Sequence, residues 1–240
     1  MSLKGIIFDV DGTLAETEKE GHLPACNEAF EQCGFPIRWS WEEFQKLLAI
    51  PGNYLRIRHA LQSVFPQWDT ERLDEEARRV ATVKRELYIN KYVPRLSLRP
   101  GVARLIEQAV SRRMYLGIVS TSDEAQIWAL LRARLPQWAS FFCPVLGKES
   151  GMKGALDSPL YRRCLELFKL SPDEVLALED SPQGLEAARN AGIRCAIVYN
   201  DYTFGSGFPG AVLVVGTLEP LTIDLLERLC FPEAALKHRD

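Results

Sequence analysis

Six short, continuously apolar runs, each closed by a polar turn, constrain this chain more than any other feature of it. They are Gly5 to Phe8, Tyr115 to Val119, Val145 to Leu146, Val175 to Leu178, Cys195 to Tyr199 and Ala211 to Val215. From about residue 96 onward they alternate with amphipathic segments such as Val102 to Ala109 and Leu185 to Ala191. Strands apolar on both faces that alternate with helices predict a parallel sheet covered by helices on each side. The fold class expected is therefore α/β, a Rossmann-like sheet.

The stretch from Glu16 to about Leu96 has another texture. It is helical in pattern, as in Asn27 to Gln32, Trp41 to Leu48 and Glu71 to Lys91, and it lacks strand runs. Pro94 and Pro100 mark the return to the sheet, because proline interrupts helices. The expected division is an α/β core from 1–15 and 97–240, with an inserted helical domain over 16–96. Leaving from the carboxyl end of the first strand, the insertion is expected over the place where open α/β sheets bind ligands.

The chemistry-bearing residues fall at strand ends. Asp9-Val10-Asp11-Gly12-Thr13-Leu14 follows the first run directly, and Gly12 permits a turn on which both carboxylates face one crevice. A calcium loop of the EF-hand type needs more oxygen residues before its glycine, and a helix rather than a strand ahead of them. A second acidic pair, Glu179-Asp180, closes the run Val175 to Leu178. Parallel strands present their carboxyl ends to the same side, so the two pairs can converge, and four acidic side chains together call for a hard cation. Magnesium, an oxygen-seeking ion that works beside phosphate, fits that demand. Ser120-Thr121-Ser122 ends the run Leu116 to Val119; hydroxyls and free amides at a helix start can cradle a phosphate, and Ser122 or Asp123 can cap the helix.

A formal net charge of -3 leaves no basic footprint, so nucleic acid is not expected as a partner. No apolar run is long enough to span a bilayer and no signal peptide opens the chain, so neither membrane attachment nor export is expected. Cys26, Cys33, Cys143, Cys164, Cys195 and Cys230 form no close pair of the zinc or redox type. They read as reduced thiols of a cytoplasmic protein, taken as a monomer.

The ordered set Asp9-x-Asp11-Gly12-Thr13, then Ser120, then Glu179-Asp180 resembles the haloacid dehalogenase superfamily. Glu16-Thr17-Glu18-Lys19-Glu20-Gly21-His22 and Leu98-Arg99-Pro100-Gly101-Val102 look like its small-cap, CbbY-type sugar-phosphate phosphatases. The resemblance implies a magnesium-dependent hydrolysis of a small sugar phosphate or bisphosphate, xylulose bisphosphate or one like it. By position it makes Asp9 the nucleophile, Asp11 the acid and base, and Ser120 a phosphate ligand. The implied metal set is Asp9, the Asp11 carbonyl, Asp180 and Glu179. Thr13, Thr121, Glu16, His22 and Arg56, with Arg58 as an alternative to Arg56, become substrate contacts.

Two departures stand out. The family's Lys-Pro pair, which precedes an acidic residue and an aromatic, is absent from the stretch Gly147 to Tyr161; counting back from Tyr161 places the lysine near Ala155, and counting from Gly147 places it near Gly154. Lys153, one residue displaced, is the expected replacement and Lys148 the fallback. Tyr54 stands where relatives carry a second lysine in the cap. A phosphosugar mutase, or a low-activity member binding phospholigands or a partner, are the alternative readings.

Overall fold

The computed structural model describes residues 2–154 and 156–232. Contacts divide the chain into two compact units, Met1–Glu16 with Ser97–Asp240, and Thr17–Leu96.

The first unit is built on a six-stranded, all-parallel sheet. Its strands are β1 (Gly5–Phe8), β2 (Tyr115–Val119), β3 (Phe142–Leu146), β4 (Val175–Glu179), β5 (Arg194–Val198) and β6 (Leu213–Val215), in the order β3-β2-β1-β4-β5-β6. β1 and β4 are buried along their whole length, which is why their sequences are apolar without alternation. Phe8 lies level with Ile118 on one neighbour and Leu178 on the other. The residues that follow, Asp9, Val119-Ser120 and Glu179-Asp180, are thereby brought to one edge of the sheet.

β3 begins three residues before the expected run. Pro144 sits inside it and hides the pattern, but β3 is an edge strand, where a missing N–H is tolerated. β6 is the other edge, short and half-exposed.

The second unit is helical: α1 (Leu23–Gln32), α2 (Trp41–Leu47), α3 (Asn53–Val64) and α4 (Thr70–Leu87). Ser40 and Glu43 close a reciprocal cap at the start of α2, and the Asp69 carboxylate accepts from the Arg72 amide at the start of α4. α1 begins four residues earlier than expected, since Pro24 in the first turn costs no hydrogen bond. Phe30, Phe44, Ile57, Leu61, Leu73 and Val80 form the unit's apolar centre.

Beyond residue 97 come α5 (Val102–Ser111), α6 (Glu124–Arg134), α7 (Pro159–Phe168), α8 (Pro182–Asn190) and α9 (Ile223–Cys230). Leu160, Tyr161, Cys164 and Phe168 of α7 pack with Leu185 and Ala188 of α8 against Ile7, Ala177 and Ile197, covering one face of the sheet. Ile6 and Phe8, being one residue out of phase with Ile7, point to the other face. There α5 meets β2 and α9, and α6 meets β3. Among the described residues no helix is long and apolar enough to cross a membrane. The six cysteines are free thiols; Cys143 is exposed, on the edge strand, and Cys33 half-buried.

Candidate active site

At the carboxyl edge of β1 the Asp9 amide donates to the Leu178 carbonyl (2.9 Å), so Asp9 continues the ladder beside Glu179. The Val10 carbonyl then accepts from the Leu14 amide (3.0 Å), turning the chain sharply, and Gly12 takes φ +80° in that turn. Asp9, Glu179 and Asp180 are all buried, and one oxygen of each lies within 4.8 Å of the others.

Lys153 completes this group. Its Nζ lies 2.5 Å from Asp9 Oδ1 and 2.7 Å from Glu179 Oε1, and the side chain is 7% exposed. A tied-down loop delivers it there. The Lys148 amide donates to the Ser122 carbonyl (3.0 Å), Ser150 Oγ donates to Glu124 Oε1 (2.6 Å), and Glu149 Oε2 accepts from the Glu124 amide (3.0 Å). The loop is thus held at the start of α6, and the chain re-enters structure at α7. Lys148 itself is 60% exposed and 3.4 Å from Asp123, so it is not the buried cation. Gly154 is exposed, and Ala155, the other counted position, lies outside the described residues.

Two further residues order the cluster, neither of them expected to touch it. The Tyr161 hydroxyl donates to Glu179 Oε1 from the buried face of α7. Asn200, after β5, donates its Nδ2 to Asp180 Oδ2 at 2.7 Å. Neither partnership carries a local signal: Tyr161 serves in the sequence only as the aromatic from which the lysine is counted back, and Asn200 reads as a turn.

Burial pushes the Asp9 carboxyl well above its ordinary range, and the Lys153 charge opposes that shift. For Asp180, burial and the Glu179 charge push upward while the Asn200 hydrogen bond and Lys153 pull back. Burial alone would lower the Lys153 ammonium; Asp9 and Glu179 outweigh it and hold it raised. Three buried carboxylates facing one buried ammonium are under-neutralised, and buried charges cost several kcal/mol each unless compensated. An all-oxygen donor set of this kind suits a small hard divalent cation.

Of the two caps expected for α6, one is used. Asp123, not Ser122, caps α6, its Oδ1 accepting from the Gln126 amide (3.0 Å). Ser122 Oγ instead donates to Asp11 Oδ2 (2.6 Å), and the Ser122 amide donates to Ser120 Oγ (3.1 Å). Ser120 is fully buried and Thr121 exposed. Thr13 Oγ1 is buried with no hydrogen-bond partner among the described residues. The structure therefore gathers Asp9, Asp11, Ser120, Lys153, Glu179 and Asp180 at one edge of the first unit.

The other expected contacts have partners of their own. Glu16 Oε1 lies 2.5 Å from Arg99 Nη1, and Arg99 also donates to the carbonyls of Tyr199 (2.7 Å) and Gly216 (3.1 Å). In the helical unit, His22 is buried with its Nδ1 2.7 Å from Lys84 Nζ and its ring stacked on Tyr88. Arg56 is buried too, donating Nε to the Ile50 carbonyl (2.9 Å), with Nη1 3.7 Å from Glu18. Arg58, the alternative, is bound to Asp74 at 2.6 Å. Lys84, on α4, went unnoticed in the sequence because a lysine in a charged helix reads as solvated surface.

Comparison with known proteins follows the same lines. Residues 6–198 match the model of the family described as haloacid dehalogenase-like hydrolase. The plasmid-encoded protein CbbY of Cupriavidus necator is 35% identical over 218 residues, covering 89% of this chain and 85% of that protein. CbbY from Rhodobacter sphaeroides, solved in complex with phosphate, superposes with a TM-score of 0.77 at 30% identity, covering 93% of this chain and 99% of that one. A variant of it, solved in complex with xylulose-(1,5)bisphosphate, also gives 0.77, at 29% identity with 94% and 99% covered. A parallel sheet ending in Asp9, Ser120 and Glu179-Asp180, matched over most of its length by these proteins, places the chain in the haloacid dehalogenase-like hydrolase family, on its CbbY-like branch.

Proposed function

We propose that this chain is a magnesium-dependent phosphomonoesterase that hydrolyses a small sugar phosphate or bisphosphate, working in the cytoplasm. The observation that carries the reading is the placement of Lys153, 2.5 Å from Asp9 and 2.7 Å from Glu179 despite the missing Lys-Pro pair. A buried cation beside the nucleophile is what phosphoryl transfer needs, since charge gathers on the equatorial oxygens of the transferring group.

In the proposed reaction an Asp9 carboxylate oxygen bonds to phosphorus as the bond from phosphorus to the sugar oxygen breaks. Asp11 gives its proton to the departing oxygen. In the second half, water attacks the aspartyl-phosphate, its proton passes to Asp11, and Asp9 is released with inorganic phosphate. Ser122, bonded to Asp11 Oδ2, holds that carboxyl in place, and Ser120 takes a phosphoryl oxygen. Asp9, Asp180 and the Asp11 carbonyl would hold magnesium, with Glu179 beside them. Bound there, the ion offsets the repulsion between carboxylates and phosphate. Tyr161 and Lys153 occupy Glu179 Oε1, through which Glu179 orients the lysine, while its Oε2 is buried without a hydrogen-bond partner among the described residues. Thr13 and Thr121 border the phosphate. Glu16, His22 and Arg56 are the residues proposed to contact the sugar and its far end. The xylulose-(1,5)bisphosphate bound by the R. sphaeroides relative supports a ligand of this class.

The test is phosphate release with Mg²⁺ over a panel of sugar mono- and bisphosphates including xylulose-1,5-bisphosphate. Turnover is expected on one class, abolished by Asp9→Asn and by chelation, and lowered about 10²–10³-fold by Lys153→Ala. Turnover that survives Asp9→Asn, or none on any sugar phosphate, overturns the reading.

A further inference from the structure

We propose that Asn200 is a positioning residue for Asp180: it fixes that carboxylate's orientation for the divalent cation, and the bare Cα of Gly12 makes room for it. This rests on the magnesium reading above. Asn200 follows β5 and is 5% exposed, as is Asp180. Its amide can point only one way. Oδ1 accepts from the Tyr202 amide (3.2 Å), the Thr203 amide (3.1 Å) and Thr203 Oγ1 (3.1 Å). Three donors converge on that atom, so the opposite end must be the NH₂ group, and Nδ2 is left to donate to Asp180 Oδ2 at 2.7 Å. The loop is closed from the other side by the Asn200 amide donating to Thr203 Oγ1 (3.0 Å).

Gly12 shows that the pairing is built into the site. A Cβ at position 12 would collide with Asp180 Oδ2, with the Tyr202 hydroxyl oxygen and with Asn200 Nδ2. The glycine of the Asp-x-Asp-Gly turn therefore serves two ends: it allows φ +80°, and it vacates the volume in which the 200–203 loop reaches Asp180. With Oδ2 engaged by an amide, which cannot itself ligate through that N–H, Asp180 has Oδ1 to offer a metal. Outer hydrogen bonds of this kind set ligand orientation and are worth about 10–100-fold in metal affinity.

The test is Mg²⁺ titration by calorimetry in the absence of substrate, on the full chain, for wild type, Asn200→Ser and Thr203→Val. Serine keeps a side-chain acceptor for the loop amides but is too short to reach Asp180. Thr203→Val removes loop bonds and leaves the Asn200 amide beside Asp180. Asn200→Ser is expected to weaken Mg²⁺ about 10–100-fold, and Thr203→Val less than threefold, with similar melting temperatures for the two metal-free variants. Equal weakening in both variants would assign the effect to loop order and overturn the proposal. Wild-type affinity in Asn200→Ser overturns it too, leaving the metal reading intact. A wild type that binds no Mg²⁺ overturns both.

Discussion

Gly184→Ala is a one-methyl change whose sign the structure decides. Gly184 is the third residue of α8, and helix propensity alone favours alanine by up to about 1 kcal/mol. A Cβ there, however, collides with Oε2 and Cδ of Glu179 and stands 2.8 Å from Oε1. Glu179 is fully buried and cannot swing into solvent; to move, it must loosen its bonds to Lys153 and Tyr161. One weakened hydrogen bond to a charged group is worth about 1.5–3 kcal/mol, and overpacking adds about 1–3 kcal/mol. After subtracting the propensity gain, a net loss of about 3 kcal/mol is expected, or roughly 6–12 °C in melting temperature. Thermal unfolding of the wild type, Gly184→Ala, Glu179→Ala and the double variant measures it. In the Glu179→Ala background the obstructing carboxylate is gone, so the same methyl should be neutral or stabilising by up to about 1 kcal/mol. Were Gly184→Ala to cost the same in both backgrounds, or nothing in the wild type, the packing argument would be refuted.

Further outcomes follow from other buried charges. Arg99→Met should destabilise by about 2–4 kcal/mol, because Glu16 and two carbonyls lose their donor; Arg99→Lys should recover only part, a point charge being unable to reproduce the fork. Urea unfolding of both variants checks this. Lys84→Met should destabilise by about 1–3 kcal/mol, because His22 Nδ1 and the Tyr88 ring lose the buried ammonium they contact, and thermal unfolding checks it. At the surface, the Lys4 ammonium and the Ser171 amide hold Glu174 down to about 2. Its folded value is depressed, so its contribution is present above the unfolded value and is lost as pH falls from the ordinary glutamate range toward 2. The stability difference between wild type and Glu174→Gln should accordingly shrink over that interval in acid titrations.

The alternation of buried runs and amphipathic segments determined the α/β class by itself, because a strand covered on both faces must be apolar throughout while a helix need be so on one side only. The same logic placed Asp9, Ser120 and Glu179-Asp180 at strand ends, and parallel strands carry those ends to one edge. The residues the sequence left open are those whose partners are fixed by non-local packing. Lys153 reaches Asp9, 144 positions earlier, only because the 148–150 segment is tied to the start of α6. Asn200 and Lys84 sit in unremarkable local patterns, and Tyr161, Asn200, Arg99 and Lys84 all find their partners on distant segments. The limits of β3 were obscured by Pro144 for a related reason: an edge strand forgives a missing N–H, and only the sheet order shows that β3 is an edge. Periodicity records which side of an element is buried, whereas a hydrogen bond between distant side chains leaves no trace in either neighbourhood, so the tertiary structure alone decides it.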